Sequence, residues 1–159
     1  MSAPDPVPAP ATASGGDPRA PRPSDEPEFL DFWRERHIGF LSTARPDGSH
    51  HLVPVGVTYD PDAGIARVIS SATSRKVRNV LAAGPGARAS VGQVDGRRWS
   101  TLEGPAVVRD DPESVAEAET RYAERYRTPR VNPQRVVIEI TVTRAMGSVR
   151  RTAPATGTA

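Results

Sequence analysis

The stretch His37–Tyr59, which reads HIGFLSTARPDGSHHLVPVGVTY, decides the fold of this chain. Its two halves, 37–44 and 49–59, contain many residues that favour strands, and they flank Arg45-Pro46-Asp47-Gly48. Proline presets φ at the start of a turn, and glycine accepts the positive φ that a tight hairpin requires. The sequence therefore predicts two antiparallel strands joined at 45–48.

The same alternation of strands and turns continues beyond this hairpin. Four more segments have a strand-like pattern and are bounded by turns that contain Gly, Pro or Asp: 65–71, 87–94, 97–109 and 135–143. In the last of them the apolar residues at every second position, from Val136 to Val142, lie on one face. About six strands in hairpin order predict a mainly β protein, an antiparallel barrel or sandwich that carries helices.

Helices are predicted where apolar residues recur at a spacing of three or four: 27–36, 74–83 and 112–127. Ser24 or Asp25 is expected to cap the first helix, and Asp111 the third. In the second helix Val77, Val80 and Leu81 form an apolar triplet, so this helix is expected to pack on the strands.

Both ends of the chain differ in composition from the segment between them. Residues 1–26 contain seven prolines among small residues, and 150–159 are similarly small and polar. Such segments bury too little apolar surface to offset the entropy of ordering them. We therefore expect a disordered Pro/Ala-rich arm at 1–26, one folded domain at 27–149 and a disordered tail at 150–159.

Composition excludes several classes of protein. The chain of 159 residues has no Cys, which excludes disulfides, thiol nucleophiles and Cys-ligated metals and favours the cytoplasm. No apolar run approaches the roughly 20 residues that a membrane span requires. A net charge of only +2 does not predict nucleic-acid binding. We expect a soluble cytoplasmic protein with neither a nucleic-acid nor a membrane partner.

The segment Ser70–Asn79, SSATSRKVRN, carries the clearest chemical signal, because it lies where a strand ends and a helix begins. Arg75 and Lys76, the only lysine in the chain, lie in the first helical turn, where positive charge opposes the helix dipole. A bound phosphate would explain them, since unpaired N–H groups at a helix start also bind anions. The alternative is an ordinary Ser/Thr cap followed by solvated basic residues.

Two further segments could contact a ligand. In Leu52–Val57, Pro54 removes a strand hydrogen-bond donor and Gly56 permits close approach of a flat ligand, although an edge strand with a bulge explains both. Trp99, near a hairpin tip beside Arg97 and Arg98, could stack on a ring; a core tryptophan beside solvated arginines is the alternative.

Other kinds of active site find little support. His50 and His51 are adjacent on a predicted strand and point to opposite faces, so no metal site is predicted. The chain has no Ser/His/Asp spacing, no Walker loop and no Gly-x-Gly-x-x-Gly after a strand. No catalytic residue is identified.

Read in order, these motifs resemble those of one family. They are Gly39-Phe40-Leu41-Ser42-Thr43, Asp47-Gly48, Pro54-Val55, Ser74-Arg75-Lys76-x-x-Asn79, Leu102-Glu103-Gly104-Pro105-Ala106 and Arg121-Tyr122-x-x-Arg125-Tyr126. Together they resemble the pyridoxamine 5′-phosphate oxidase-like family, in its branch that uses the deazaflavin coenzyme F420. The resemblance spans about residues 28–146.

This resemblance implies a six-stranded antiparallel split β-barrel of the FMN-binding type, which forms a homodimer with a cofactor at each end of the interface. Arg75 and Lys76 would hold the cofactor phosphate, 54–57 would run along the ring, and Trp99 would lie near the site. The full set of implied cofactor-binding residues is Pro54, Val55, Gly56, Val57, Ser70, Ser71, Thr73, Ser74, Arg75, Lys76, Asn79 and Trp99.

The resemblance implies an oxidoreductase that transfers a hydride from reduced coenzyme F420 to a small or medium-sized unsaturated acceptor. Two alternatives are an FMN-dependent oxidoreductase on the same fold and a non-catalytic carrier or sensor of a flavin, deazaflavin or tetrapyrrole. Arg88, Arg97 or Arg98 could bind the glutamate tail that distinguishes coenzyme F420 from FMN. The chain lacks the Arg-x-His element of true pyridoxamine phosphate oxidases, which disfavours vitamin B6 oxidation.

Overall fold

The computed structural model describes residues 26–149. The tail predicted for 150–159, and the arm predicted for 1–26 apart from Glu26, lie outside the described residues. The helices are α1 (Pro27–Arg34), α2 (Arg75–Ala83) and α3 (Pro112–Arg125), and a single 3-10 turn spans Gly84–Gly86. The strands are β1 (Gly39–Ala44), β2 (His50–Val55), β3 (Thr58–Asp60), β4 (Ile65–Ser71), β5 (Arg88–Asp95), β6 (Arg98–Arg109), β7 (Arg135–Thr141) and β8 (Arg144–Gly147).

The strands pair antiparallel in the order β2-β1-β5-β6-β7-β4-β3, and β8 pairs with β6. The path is open rather than closed, so the prediction of a mainly β, antiparallel split barrel is confirmed. The described residues contain eight strands where six were expected. The predicted strand 49–59 is broken after Val55, and the chain turns back after Thr141 to form β8.

The long strand β6 joins the two halves of the fold. Its first part pairs with β5 and β8, and its last part, Ala106–Arg109, pairs with β7. Gly104 lies where the partner changes, and a Cβ there would lie 1.8 Å from the carbonyl oxygen of Thr141. Only glycine permits this approach of the two backbones.

The helices cover the strands through a few buried side chains. Phe32 and Trp33 of α1 are almost fully buried, and the Trp33 Nε1–H donates to Ser100 Oγ at 3.0 Å. Val77 and Val80 of α2 are buried as predicted. Leu81, expected to pack beside them, is instead 60% exposed.

All three helices begin within one residue of the predicted positions, whereas the capping residue agrees for α3 and differs for α1. The Asp111 carboxylate accepts from the Ser114 N–H at 3.0 Å and so caps α3, as predicted. Helix α2 begins after Ser74, as predicted. The N-cap of α1 is Glu26 rather than Ser24 or Asp25. None of the helices between residues 26 and 149 is long and apolar enough to cross a membrane.

Candidate functional site

A cavity of about 270 Å³ opens where the end of β2 and the start of α2 meet the segment that connects α3 to β7. It is lined by Pro54, Val55, Gly56, Ile69, Lys76, Tyr122, Arg127, Pro129, Arg130 and Arg135. The structure therefore brings the predicted residues Pro54, Val55, Gly56 and Lys76 to one cavity, although they are far apart in the sequence.

The start of α2 is not capped in the ordinary way. Ser74 is the N-cap residue, but its side chain accepts no bond from the first turn of the helix. Its hydroxyl instead lies 2.8 Å from the Ser70 hydroxyl. The first turn contains no acidic residue. The N-terminal N–H groups of the helix therefore have no side-chain cap. The alternative interpretation of this segment, an ordinary Ser/Thr cap followed by solvated basic residues, required one.

Lys76 is a half-buried cation beside these N–H groups. It lines the cavity, and burial holds the pKa of its ammonium group below the usual value. Between residues 26 and 149 it forms no ion pair and no side-chain hydrogen bond. A partly buried ammonium group without a carboxylate partner is costly, and a bound anion would offset that cost.

His51 carries a second unsatisfied group close to the same charges. Its Nδ1 is buried and has no hydrogen-bond partner within residues 26–149. Burial lowers the pKa of this imidazole, and the positive charges of Arg45, Lys76 and Arg75 lower it further. His51 is therefore held neutral beside a region of positive potential.

The break between β2 and β3 is fixed by side chains from the end of α3. The hydroxyl of Tyr126 donates to the carbonyl of His37 at 2.6 Å and accepts from the Val57 N–H at 3.1 Å. Arg125 donates to the carbonyls of Val57 and Glu35. These bonds fix residues 56–57, which lie between β2 and β3, and burial raises the pKa of Tyr126.

Tyr122 forms one wall of the cavity and packs on this break. Its ring lies against Gly56, and its centroid is 5.0 Å from that of Tyr126. The sequence predicts that Gly56 admits another backbone or a flat ligand; the group that approaches it in the structure is the ring of Tyr122. The recurrence of tyrosines at 122 and 126 on one helical face was the sequence signal for this wall.

Other predicted site residues do not line the cavity. Asn79 is buried and donates to Thr43 Oγ1 at 3.0 Å, so it holds α2 against β1. Trp99 is exposed at the start of β6, opposite Val94. The remaining predicted residues outside the lining are Val57, Ser70, Ser71, Thr73, Ser74 and Arg75.

The sequence did not single out Ile69, Pro129 or the three arginines of the cavity, Arg127, Arg130 and Arg135. Arg135 bonds Glu119 at 3.1 Å and donates to the carbonyl of Arg130 at 2.9 Å, while its Nε is buried without a partner. The cluster of basic residues that follows α3 was the available signal. It was obscured because nearly every basic residue in this chain is arginine.

The segment 126–134, which connects α3 to β7, is fastened to the loop before α2. The Asn132 Nδ2 donates to Ser71 Oγ at 2.8 Å, and the Ala72 N–H donates to the carbonyl of Gln134, also at 2.8 Å. Asn132 Oδ1 accepts from the Gln134 N–H at 2.9 Å. Two distant parts of the sequence thereby form one continuous wall.

Arg98, one of the arginines considered for a cofactor tail, has acidic partners. It binds both oxygens of Glu35 at 3.0 and 2.8 Å and also binds Asp95. The hydrogen bond from Arg98 lowers the pKa of Glu35 to about 2. Glu35, His37 and Asp95 have the proximity of a cation site, but the Arg98 guanidinium already supplies the positive charge.

Comparison with known proteins gives this arrangement a context. Residues 25–147 match the family model described as pyridoxamine 5′-phosphate oxidase. Over 121 residues the chain is 51% identical to the F420H2-dependent biliverdin reductase of Mycobacterium tuberculosis, a match that covers 76% of this chain and 86% of that protein.

Solved structures share the fold. A conserved hypothetical protein from Mycobacterium tuberculosis aligns with a TM-score of 0.64 and 26% identity, over 78% of this chain and 84% of that one. A protein described as F420 reductase aligns with a TM-score of 0.59 and 22% identity, over 73% of this chain and 94% of that one. The second likeness is one of fold alone.

Proposed function

This chain belongs to the pyridoxamine 5′-phosphate oxidase family, and from that premise we propose that it is a reductase that uses reduced coenzyme F420 to deliver a hydride to an unsaturated organic acceptor. The observation that carries the proposal is Lys76, half-buried in the cavity, without a carboxylate partner among the described residues and next to a helix start that no side chain caps. The 51% identity to an F420H2-dependent enzyme favours the deazaflavin over FMN.

The residues of the cavity fit such a cofactor. Lys76 and the N–H groups of α2 would hold its phosphate, with Arg75 and the hydroxyls of Ser70, Ser71, Thr73 and Ser74 in the same loop. The backbone of 54–56 would lie along the ring system. When bound, the reduced deazaflavin supplies the hydride.

The residues of the chain would bind and orient the cofactor and the acceptor. Among the described residues, the cavity lining contains no carboxylate, imidazole or thiol. Tyr122 and Ile69 line the cavity, and its cations would stabilise negative charge on a bound ligand. The protein would therefore position the cofactor and the acceptor, while the cofactor provides the reactivity.

We propose biliverdin or a related linear tetrapyrrole as the acceptor. The support is the identity to a biliverdin reductase over most of both chains. A linear tetrapyrrole has a conjugated methine bridge that accepts a hydride, which agrees with the unsaturated acceptor that the family resemblance implies.

The test is titration of the purified protein with coenzyme F420 and with FMN, followed by anaerobic mixing of the reduced complex with biliverdin. We expect micromolar or tighter binding of F420 and reoxidation of the reduced deazaflavin, seen as the return of its visible absorbance. Preferential binding of FMN would overturn the assignment of the cofactor. Tight F420 binding without oxidation by biliverdin, other tetrapyrroles, enones or quinones would favour a non-catalytic carrier.

We further propose that two copies of the chain associate through the outer face of β2, β1, β5, β6 and β8. Exposed apolar side chains recur on this face: Phe40, Leu52, Pro54, Val94, Trp99 and Met146. They are neighbours in the register, since Phe40 lies opposite Pro54 and Val94 lies opposite Trp99. Pro54 also lines the cavity, so a second copy on this face would complete the edge of the cofactor site.

Sedimentation tests the association of the two copies. Leu52→Glu should give monomers and weaken F420 binding, because it places a carboxylate in the apolar face. Leu81→Glu is the matched control, since Leu81 is 60% exposed and Leu52 is 62% exposed, but Leu81 lies on α2. A wild-type monomer, or an unchanged dimer in Leu52→Glu, would contradict the proposal.

A further inference from the structure

Three arginines border the cavity on the side of the segment that follows α3, and we name Arg127, Arg130 and Arg135 the arginine rim. Arg127 and Arg130 are exposed, and neither forms an ion pair with any residue between 26 and 149. Arg135 is nearly buried and forms an ion pair with Glu119. Among residues 26–149, Glu119 is the only carboxylate that pairs with an arginine of the rim. The rim therefore has more positive charge than its partners neutralise.

The bound phosphate of the cofactor does not account for this excess positive charge. Under the proposed function the phosphate is held by Lys76 and the start of α2, which provide an ammonium group and uncapped N–H groups. The guanidinium groups of the rim come from a different part of the chain. They border the same cavity, but Arg127 and Arg130 belong to the segment 126–134 and Arg135 begins β7, whereas the proposed phosphate site is formed by α2 and the loop before it.

The rim is held in place by the chain itself. The carbonyl of Arg130 accepts from Arg135 at 2.9 Å, and Asn132 is bonded to Ser71. The buried Nε of Arg135 has no hydrogen-bond partner among the described residues, so one donor of the rim is unused. Donors that the backbone holds in a defined position select ligands by shape as well as by charge.

The chemistry of the rim suits carboxylates. A guanidinium group presents two parallel N–H donors that match the two oxygens of a carboxylate. Val131, next to Arg130, is 97% exposed and offers an apolar contact beside the charges. A ligand with an apolar body and carboxylate ends would meet both features.

We propose that the arginine rim binds the carboxylates of a small molecule while the deazaflavin occupies the cavity. The inference rests on the proposed function, which supplies two candidate sources of carboxylate. One is the glutamate tail of coenzyme F420, and the other is the pair of propionate groups of a tetrapyrrole acceptor.

The experiment compares Arg127→Gln/Arg130→Gln with the control Arg34→Gln/Arg36→Gln, which removes the same charge from exposed positions outside this cavity. In one arm, fluorescence titration measures the affinity for coenzyme F420 and for its phosphate-bearing form without glutamates. In the other, absorbance titration measures the affinity for biliverdin and for its dimethyl ester.

A rim that binds the cofactor tail predicts at least about a tenfold loss of F420 affinity in the rim variant, with no change for the form without glutamates. A rim that binds the acceptor predicts a similar loss for biliverdin and none for the ester. Unchanged affinity in both arms, or losses equal to those of the control, would overturn the inference. Both arms measure binding alone, so a wild-type protein that binds these ligands without turnover would contradict the reductase and not the rim.

Discussion

The ring of Tyr122 lies directly against the backbone of Gly56: a Cβ added to Gly56 would lie 2.6 Å from Cε2 of Tyr122. Both residues line the cavity, so this contact sets the width of one end of it. Tyr122 is in turn supported by Tyr126, whose hydroxyl binds Val57 within the break between β2 and β3 and the carbonyl of His37 before β1.

Gly56→Ala should lower the free energy of unfolding by about 1–3 kcal/mol, because the new methyl group overlaps a packed ring. Urea denaturation measures this change. In a Tyr122→Leu background the same substitution should cost clearly less, since the obstructing ring is gone. Equal costs in the two backgrounds would show that the contact with Tyr122 is not the cause.

Lys76 should make cofactor affinity fall at alkaline pH. Its ammonium form binds the phosphate, and burial lowers the pKa of that group, so the free protein loses this charge as the pH rises through the lowered value. Lys76→Arg should keep its affinity up to higher pH, because a guanidinium group stays charged. Lys76→Ala should weaken binding by roughly 1.5–3 kcal/mol at neutral pH.

Fluorescence titration of the three proteins between pH 7 and pH 10 measures these affinities. An identical pH dependence in wild type and Lys76→Arg would assign the effect to another group. Unchanged affinity in Lys76→Ala would mean that the phosphate is bound elsewhere.

Asn132→Ala should weaken cofactor binding more than it weakens the fold. The substitution removes the bond to Ser71 Oγ, which holds the segment 126–134 to the loop before α2, and the bond from the Gln134 N–H, which lies within the segment itself. We expect a loss of about 1–2 kcal/mol in stability and at least about a tenfold loss in F420 affinity. Ser71→Ala removes only the first of these bonds, so thermal unfolding and titration of both variants separate the two contributions.

Gly104→Ala should be among the most damaging single substitutions in the chain. The Cβ would meet the Thr141 carbonyl oxygen at 1.8 Å, and the three nearest atoms are all backbone atoms of Thr141 and Thr143, which cannot move aside as a flexible side chain could. We expect a loss of at least about 4 kcal/mol, or failure to fold. Gly86→Ala is the matched control, because a Cβ there has no atom within 4 Å, and its unfolding midpoint should hardly change.

The elements that depend on local sequence could be predicted. The turn at 45–48 and the strand 65–71 are found as predicted, with Gly48 at a φ of 84°. Asp111 caps α3 because its side chain needs only the N–H groups of the next turn. In each case the decisive contacts lie within a few residues along the chain.

The elements that depend on distant contacts could not be predicted. The strand 49–59 is broken at Gly56 because Arg125 and Tyr126 bind the backbone of Val57 from nearly 70 positions away. The strand β8 exists because Arg144–Gly147 pairs with β6, and its own pattern is too short to indicate a strand.

In the candidate site, too, the features that depend on local sequence could be predicted and those that depend on distant contacts could not. The loop before α2 and the motif around Pro54 could be recognised, since each is a local pattern with a chemical meaning. The role of Arg127 and Arg130 at the cavity could not, because it depends on how Asn132 docks against Ser71. Whether the predicted residues bind a cofactor stays a prediction that the titrations above would test.

The hydrogen bond between Asn132 and Ser71 also has a consequence for the thermodynamics of binding. Fixing the backbone of one residue costs about 1–2 kcal/mol of conformational entropy. A loop that became ordered only around its ligand would lose that amount for each of its residues at the moment of binding. Here the chain orders the loop as it folds, so a ligand meets a wall already in place, and association should proceed almost as between rigid bodies.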